Sequence, residues 1–265
     1  MKSPLRYPGG KSRAIPQILP LIPANIQEYR EPFIGGGSVY LAVRSLFKHT
    51  INYWINDLNE DLYFFWEQVR DNLDGLVEGV WGFKRAYPDG RELYTFLKDN
   101  GNMLTPFERA VRFFIMNRIT FSGVMDAGGY SQQAFERRFT NSSVERLGKL
   151  KGYFSNTRIT QGDYEPLLFE GGEKVFLFLD PPYFSTTQSR LYGERGTLHT
   201  GFDHERFAET MRRCPYRWLV TYDDCPEVRE LFKFANIHSW ELQYGMNNFM
   251  QESAARGREL FIKNY

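Results

Sequence analysis

Asp180, Pro181, Pro182 and Tyr183 close an apolar run in the stretch LFLDPPYFST, residues 177–186. A proline restricts the residue before it to extended backbone, so Pro181 fixes Asp180 and Pro182 fixes Pro181. Neither proline has an N–H. The Asp180 carboxylate and the Pro181 carbonyl are therefore rigid acceptors at a strand end, with the aromatic face of Tyr183 beside them. Two fixed acceptors suit a group with two N–H hydrogens, such as the exocyclic amine of a nucleobase, and the ring suits stacking of that base. The amine is a poor nucleophile because its lone pair is drawn into the purine. Accepting both hydrogens pulls the nitrogen toward tetrahedral geometry and returns the lone pair for attack. An electrophile already activated, such as a sulfonium methyl donor, then needs only positioning and charge stabilisation. The plain alternative is a proline-rich loop with Asp180 as a turn residue.

A second constellation lies near the N-terminus. EPFIGGGSVYL, residues 31–41, is a glycine-rich turn between a strand and a helix. Gly35 and Gly37 let a ligand approach the backbone, but a dinucleotide fingerprint needs a third glycine at position 40, which is Tyr40. Asp57 ends the next strand about 20 residues on, where such folds place an acid on ribose hydroxyls; it is equally suited to capping the helix that follows. Together these residues point to a nucleoside-bearing cofactor whose phosphates are not the main handle. PGGKS, residues 8–12, resembles the tail of a phosphate loop, but Leu5 stands where the first glycine belongs. Nucleotide hydrolysis is excluded on that ground. Lys11 is left either as a solvated lysine or as a residue at the cofactor or the substrate backbone.

These residues need a scaffold that brings strand ends together. Strands are expected over 26–31, 51–55, 158–161, 175–179, 217–222, 237–242 and 259–263, and helices over 11–21, 39–47 (with Ser38 as N-cap), 58–69 and 106–119. The alternation of strands and helices breaks between residues 59 and 156 and then resumes. The implied architecture is an α/β fold with a mostly parallel sheet, split by a mostly helical insertion, with ligands at the carboxyl edge of the strands. The 265 residues suffice for that, and the net charge of +1 leaves any basic groove local. Cys214 and Cys225 are too few for a zinc site or a disulfide framework, and no long apolar run is present, so a cytoplasmic protein with no membrane partner is expected.

In this order the motifs resemble those of the Dam-like (D12, α-class) DNA adenine-N6 methyltransferases. LRYPGGK (5–11), EPFIGGGSVYL, INDLNEDL (55–62), MNRITFSGV (116–124), GDYEPLL (162–168) and LDPPY (179–183) span nearly the whole chain. The resemblance implies a Rossmann-like S-adenosylmethionine-dependent methyltransferase sheet, with a catalytic domain in two parts, 1–58 and 157–265, and a target-recognition insertion over 59–156. It implies that Tyr7, Lys11, Phe33, Gly35, Gly37, Asp57 and Asp163 line the S-adenosylmethionine site. Asp180, Pro181 and Tyr183 would hold a flipped adenine of duplex DNA, with Asp180 also near the cofactor amine. In the insertion, Arg118 is placed on a phosphate, Phe121 as a wedge and Ser122 at the orphan base. Asp126 departs from the family: GATC-specific members carry an arginine there, and an aspartate accepts from cytosine but donates nothing to guanine. GATC is therefore not the expected target.

The insertion mixes Arg109, Arg112, Arg118, Arg137, Arg138 and Arg146 with Phe113, Phe121, Tyr130 and Phe139, a composition suited to phosphate contact and base stacking, or to a solvated helix face. Methylation of an RNA or protein amine, and a silent DNA-binding module, are the competing readings. A cognate restriction endonuclease is an open partner, and nothing in the residues argues against a monomer.

Overall fold

The computed structural model describes residues 1–101, 104–123, 128–186, 201–243 and 256–265. The helix expected over 11–21 is broken into a 3-10 turn (Lys11–Arg13), the short α1 (Ile15–Ile18) and a second 3-10 turn (Leu19–Leu21). Pro16 and Pro20 supply the reason, since neither can donate to a helical carbonyl. Next come β1 (Glu28–Glu31), α2 (Ser38–Phe47) and β2 (Asn52–Asp57). Ser38 is already inside α2; the N-cap is Gly37 in the left-handed conformation, with no side-chain cap.

Helices α3 (Glu60–Asp71), α4 (Leu73–Ala86), α5 (Gly90–Asp99), α6 (Pro106–Ile119), α7 (Gln132–Arg138) and α8 (Asn141–Gly148) fill the segment between β2 and the next strand. Strands and helices then alternate as β3 (Thr157–Gln161), α9 (Glu165–Phe169), β4 (Val175–Leu179), α10 (His204–Arg213), β5 (Arg217–Asp223), α11 (Pro226–Leu231), β6 (Asn236–Gln243) and β7 (Arg256–Lys263). The sheet has seven strands in the order β3-β2-β1-β4-β5-β7-β6. Strands β1 to β5 run parallel, and β7 is antiparallel to both β5 and β6. The antiparallel edge is not visible in the residue pattern, which reads the same in either direction.

Helix α3 packs against β2 and β3 as well as α6, so the first helix after residue 58 belongs to the sheet's own layer. Its Trp66 stacks on Phe154, with ring centroids 4.9 Å apart. One hydrophobic cluster runs from Tyr29 and Tyr40 through Phe65 and Trp66 to Phe113, Phe114 and Leu147, joining the sheet to the helical segment. Helix α6 is its axis, buried from Ala110 to Ile119. The start of α6 is set by a capping box: Thr105 accepts from the Glu108 N–H, and the Glu108 carboxylate accepts from the Thr105 N–H at 2.9 Å. Thr105→Ala is expected to lower Tm by about 2 °C in a calorimetric scan; an unchanged Tm would show that tertiary burial alone sets this helix start.

Candidate active site

Parallel pairing brings the carboxyl ends of β1, β2, β4 and β5 to one edge, and an acid stands at each: Glu31, Asp57, Asp180 and Asp223. Glu259 of β7 lies directly opposite Asp223 in the register. All five line a cavity of about 510 Å³, together with Tyr7, Lys11, Phe33, Gly35, Gly37, Pro181 and Tyr183. The volume falls in the range of small-ligand sites.

Lys11 is buried, which excludes the solvated reading. Its Nζ stands 2.8 Å from Asp180 Oδ1, donates to the Gly9 carbonyl at 2.9 Å, and lies 4.7 Å from the centre of the Tyr183 ring. Thr221 donates to the same Asp180 Oδ1 at 2.7 Å. The Oδ2 oxygen has no hydrogen-bond partner among the described residues. The turn behind the prolines is fixed from β5, where Asp223 accepts the N–H groups of Phe184 at 2.9 Å and Ser185 at 2.8 Å. Thr221 and Asp223 are two residues apart, hence on one face of the strand. From β7, Glu259 accepts the Tyr183 hydroxyl at 2.8 Å and so fixes the ring.

The glycine turn is shaped by the N-terminal segment. Gly35 has φ +47°, and a Cβ there would stand 3.0 Å from the Tyr7 ring. Asp57 accepts the Gly35 N–H at 3.0 Å and the Asn59 N–H at 3.0 Å, each on its own oxygen. The helix cap itself is Asn59. Each Asp57 oxygen keeps a lone pair for a hydroxyl donor. Phe33 packs into an aromatic wall with Tyr164, Phe202 and Phe207.

Burial dominates the electrostatics. It pushes the Asp57 carboxyl up to about 6, against the backbone N–H groups that favour its ionised form. It raises Glu31 well above the carboxylate range despite the Tyr29 hydroxyl, which donates to it at 2.6 Å. It takes Glu259 up to about 7, opposed by Lys11 and Tyr183 and reinforced by Asp180 and Asp223. Asp57, Asp180, Asp223 and Glu259 still outnumber Lys11 and Arg258 in the cavity, which repels phosphates and suits a ligand with cationic groups and hydroxyls.

Residues 7–246 match the D12 class N6 adenine-specific DNA methyltransferase family. The chain belongs to this family. A relative in Lactococcus lactis subsp. cremoris, the Type II methyltransferase M1.LlaDCHI, is 25% identical over 277 residues, covering 98% of this chain and 94% of that protein. The modification methylase StsI of Streptococcus sanguinis is 30% identical over 290 residues, covering all of this chain (100%) and 43% of its own length. A DNA adenine methylase of Salmonella typhi is 29% identical over 249 residues, covering 88% of this chain and 85% of that one. The D12 methyltransferase described here transfers a methyl group from S-adenosylmethionine to adenine in DNA. Its cavity suits that cofactor, which carries an ammonium, a sulfonium and ribose hydroxyls: the lining is rich in carboxyl groups, and Asp57 keeps lone pairs for a hydroxyl donor.

Some expected site residues lie elsewhere in this methyltransferase. Asp163 is not among the cavity's lining residues; it is half-exposed and pairs with the Arg206 guanidinium at 2.8 and 3.1 Å. Arg118 is buried in the last turn of α6 instead of standing at the surface, 5.4 Å from the Phe114 ring. Its Nε and Nη2 have no partner among the described residues. Burial, with the Arg146 charge adding, lowers its pKa to about 10. Arg109 and Arg112 are tied to Asp61, the former at 2.6 Å, and Phe113 and Phe139 are core, so these four do not form a DNA face. Phe121 is 68% exposed, the most exposed large apolar side chain described, and Ser122 follows it in a 3-10 turn. Asp126 lies outside the described residues.

Sequence reasoning missed Thr221, Asp223 and Glu259. Asp223 carries the strand-end signal that marked Asp57, whereas Glu259 sits inside a strand that only the sheet register brings to the site. Because Glu259 loses its proton as pH rises through about 7, the Tyr183 hydroxyl gains an ionised acceptor above that pH. The rate constant kcat is expected to rise through about pH 7 in the native enzyme, and the limb to flatten in Glu259→Gln, which accepts but does not titrate. An acid limb at the same pH in that variant would remove Glu259 from the role.

Proposed function

We propose that this chain methylates the N6 amine of an adenine extruded from duplex DNA, using Asp180, Pro181 and Tyr183 on the base and the glycine turn with Asp57 on the cofactor. The observation that carries the reading is the division of labour on Asp180. Oδ1 is held by Lys11 and Thr221, which leaves Oδ2 directed by two fixed contacts and open to one N–H of the target amine. The Pro181 carbonyl takes the other hydrogen, and the Tyr183 ring, held by Glu259, receives the base face. S-adenosylmethionine, when bound, supplies a methyl carbon already activated by its sulfonium. As the amine attacks, positive charge develops on nitrogen, and the Asp180 carboxylate stabilises it and accepts the departing proton at Oδ2. Lys11 keeps the carboxylate oriented throughout.

The exposed Phe121 supports the wedge role that opens the duplex, with Ser122 beside the space the base leaves. The buried Arg118 serves as a phosphate contact only if it leaves the core, so Arg137 and Arg146, both exposed, join the proposal as the backbone contacts of first approach. Asp126 supports a target other than GATC. The names Type II methyltransferase and modification methylase among the relatives support pairing with a restriction endonuclease. No helix among the described residues is long and apolar enough to cross a membrane, and a cytoplasmic place beside DNA completes the reading.

Asp180→Asn keeps the shape and removes the charge. It is expected to lower kcat by about 10³-fold without loss of cooperative unfolding, measured as N6-methyladenine by mass spectrometry of digested duplex. Near-native turnover, or methyl found on cytosine, would reject the assignment. Phe121→Ala is expected to weaken the fluorescence rise of a duplex carrying 2-aminopurine at its target adenine, with kcat on a target mismatched to ease extrusion changed less than on the paired one. Equal losses on both substrates would show that the ring does not act in opening the duplex.

A further inference from the structure

Asn117 lies outside the set of residues assigned to base and cofactor, at a joint between the cofactor turn and the 3-10 turn that carries Phe121. Asn117, buried in the last turn of α6, accepts the Arg6 N–H on Oδ1 at 2.9 Å. Its Nδ2 donates to the Arg6 carbonyl at 2.7 Å and to the Gly123 carbonyl at 3.3 Å. One amide thus pairs with both backbone groups of Arg6, as a neighbouring strand would, and also reaches Gly123 at the end of the 3-10 turn that carries Phe121. Gly123 has φ +77°, and a Cβ there would stand 2.7 Å from the Arg6 carbonyl oxygen, so the two segments are in direct contact.

On its other side the Arg6 segment is fastened to the cofactor turn. Tyr7 lies against Gly35, and the Ser3 hydroxyl donates to the Gly36 carbonyl while accepting the Leu5 N–H at 3.0 Å. A continuous set of contacts therefore runs from Gly35 and Gly36 through residues 3–7 to Asn117, Gly123 and Phe121. A buried amide that loses one partner bears the full desolvation cost of the group left behind. Arg6 and Gly123 are therefore held in one arrangement relative to each other.

We propose that Asn117 is a positioning residue that couples the cofactor turn to the DNA wedge, so that filling the cavity and opening the duplex favour one another. This rests on the proposed places of the cofactor and of Phe121. Linkage requires the effect to be reciprocal: duplex tightens the cofactor site by the same factor as the cofactor tightens duplex.

The test uses the 265-residue chain, S-adenosylhomocysteine as the unreactive probe, and a duplex containing the methylated site mapped by sequencing modified adenines. In the native enzyme the duplex is expected to lower the Kd of S-adenosylhomocysteine by about 5-fold or more, and the probe to lower the duplex Kd equally. Asn117→Ala, Gly123→Ala and Ser3→Ala, which strike the joint at its centre and both ends, are expected to bring that factor close to one. The DNA-free Kd of the probe is expected to change less than about 3-fold in each, since none of the three touches the cavity's acids. The factor is read from every variant that unfolds cooperatively. Ser3, partly exposed near the chain start, provides one that keeps the core intact. A native enzyme that methylates adenine in DNA but shows no reciprocal factor overturns the coupling and leaves the proposed function standing. Full coupling retained in the folded variants also overturns it. Failure of the native chain to methylate adenine overturns the function itself.

Discussion

Parallel pairing of β1, β2, β4 and β5 concentrates Glu31, Asp57, Asp180 and Asp223 at one edge of the sheet, and everything else at the site answers that crowding of negative charge. Carboxylates drawn together out of water either take up protons or acquire cations. The protein uses both routes. Burial raises Glu31, Asp57 and Glu259, while Lys11 is brought in from the N-terminal segment to stand 2.8 Å from Asp180. S-adenosylmethionine carries an ammonium and a sulfonium, so it suits the negative charge that remains.

The turn at Asp180–Tyr183 serves as a pair of fixed acceptors only if its oxygens do not move. Two prolines limit the backbone, but they do not orient the carboxylate or the ring. That is done from behind, by alternate residues of β5 and by one residue of β7: Thr221 on Asp180, Asp223 on the Phe184 and Ser185 N–H groups, and Glu259 on Tyr183. Each contact sits on a strand of the central sheet, where neighbouring strands limit its motion, and such support is what lets a short turn serve as a fixed acceptor pair.

The helical segment contributes less open basic surface than its composition suggests. Arg109 and Arg112 are tied to Asp61, and Arg118 is enclosed by α6 and its neighbours. Outward stands the Phe121 turn, with Arg91, Lys98, Arg137, Arg146 and Lys149 among the exposed basic residues elsewhere on the segment. An aromatic ring on one short turn depends on being set correctly relative to the cavity, which gives the buried amide of Asn117 its importance.

Local chemistry was legible in the residues alone. The apolar run of β4 ending at Asp180, the start of α6 at Pro106 and the glycine turn at 35–37 all declare themselves within a few positions, because strand patterning, helix periodicity and backbone freedom are short-range properties. The order of motifs was enough to identify the family and the cofactor. Only the tertiary structure decided that Lys11 is buried against Asp180, that Asp163 is held by Arg206 away from the cavity, that Arg118 lies in the core, and that Glu259 fixes Tyr183. Those outcomes depend on pairs between 43 and 169 positions apart, and on an antiparallel strand whose direction leaves no mark in its residue pattern. Charge pairing and burial follow from sheet register, and register is a property of the assembled strands.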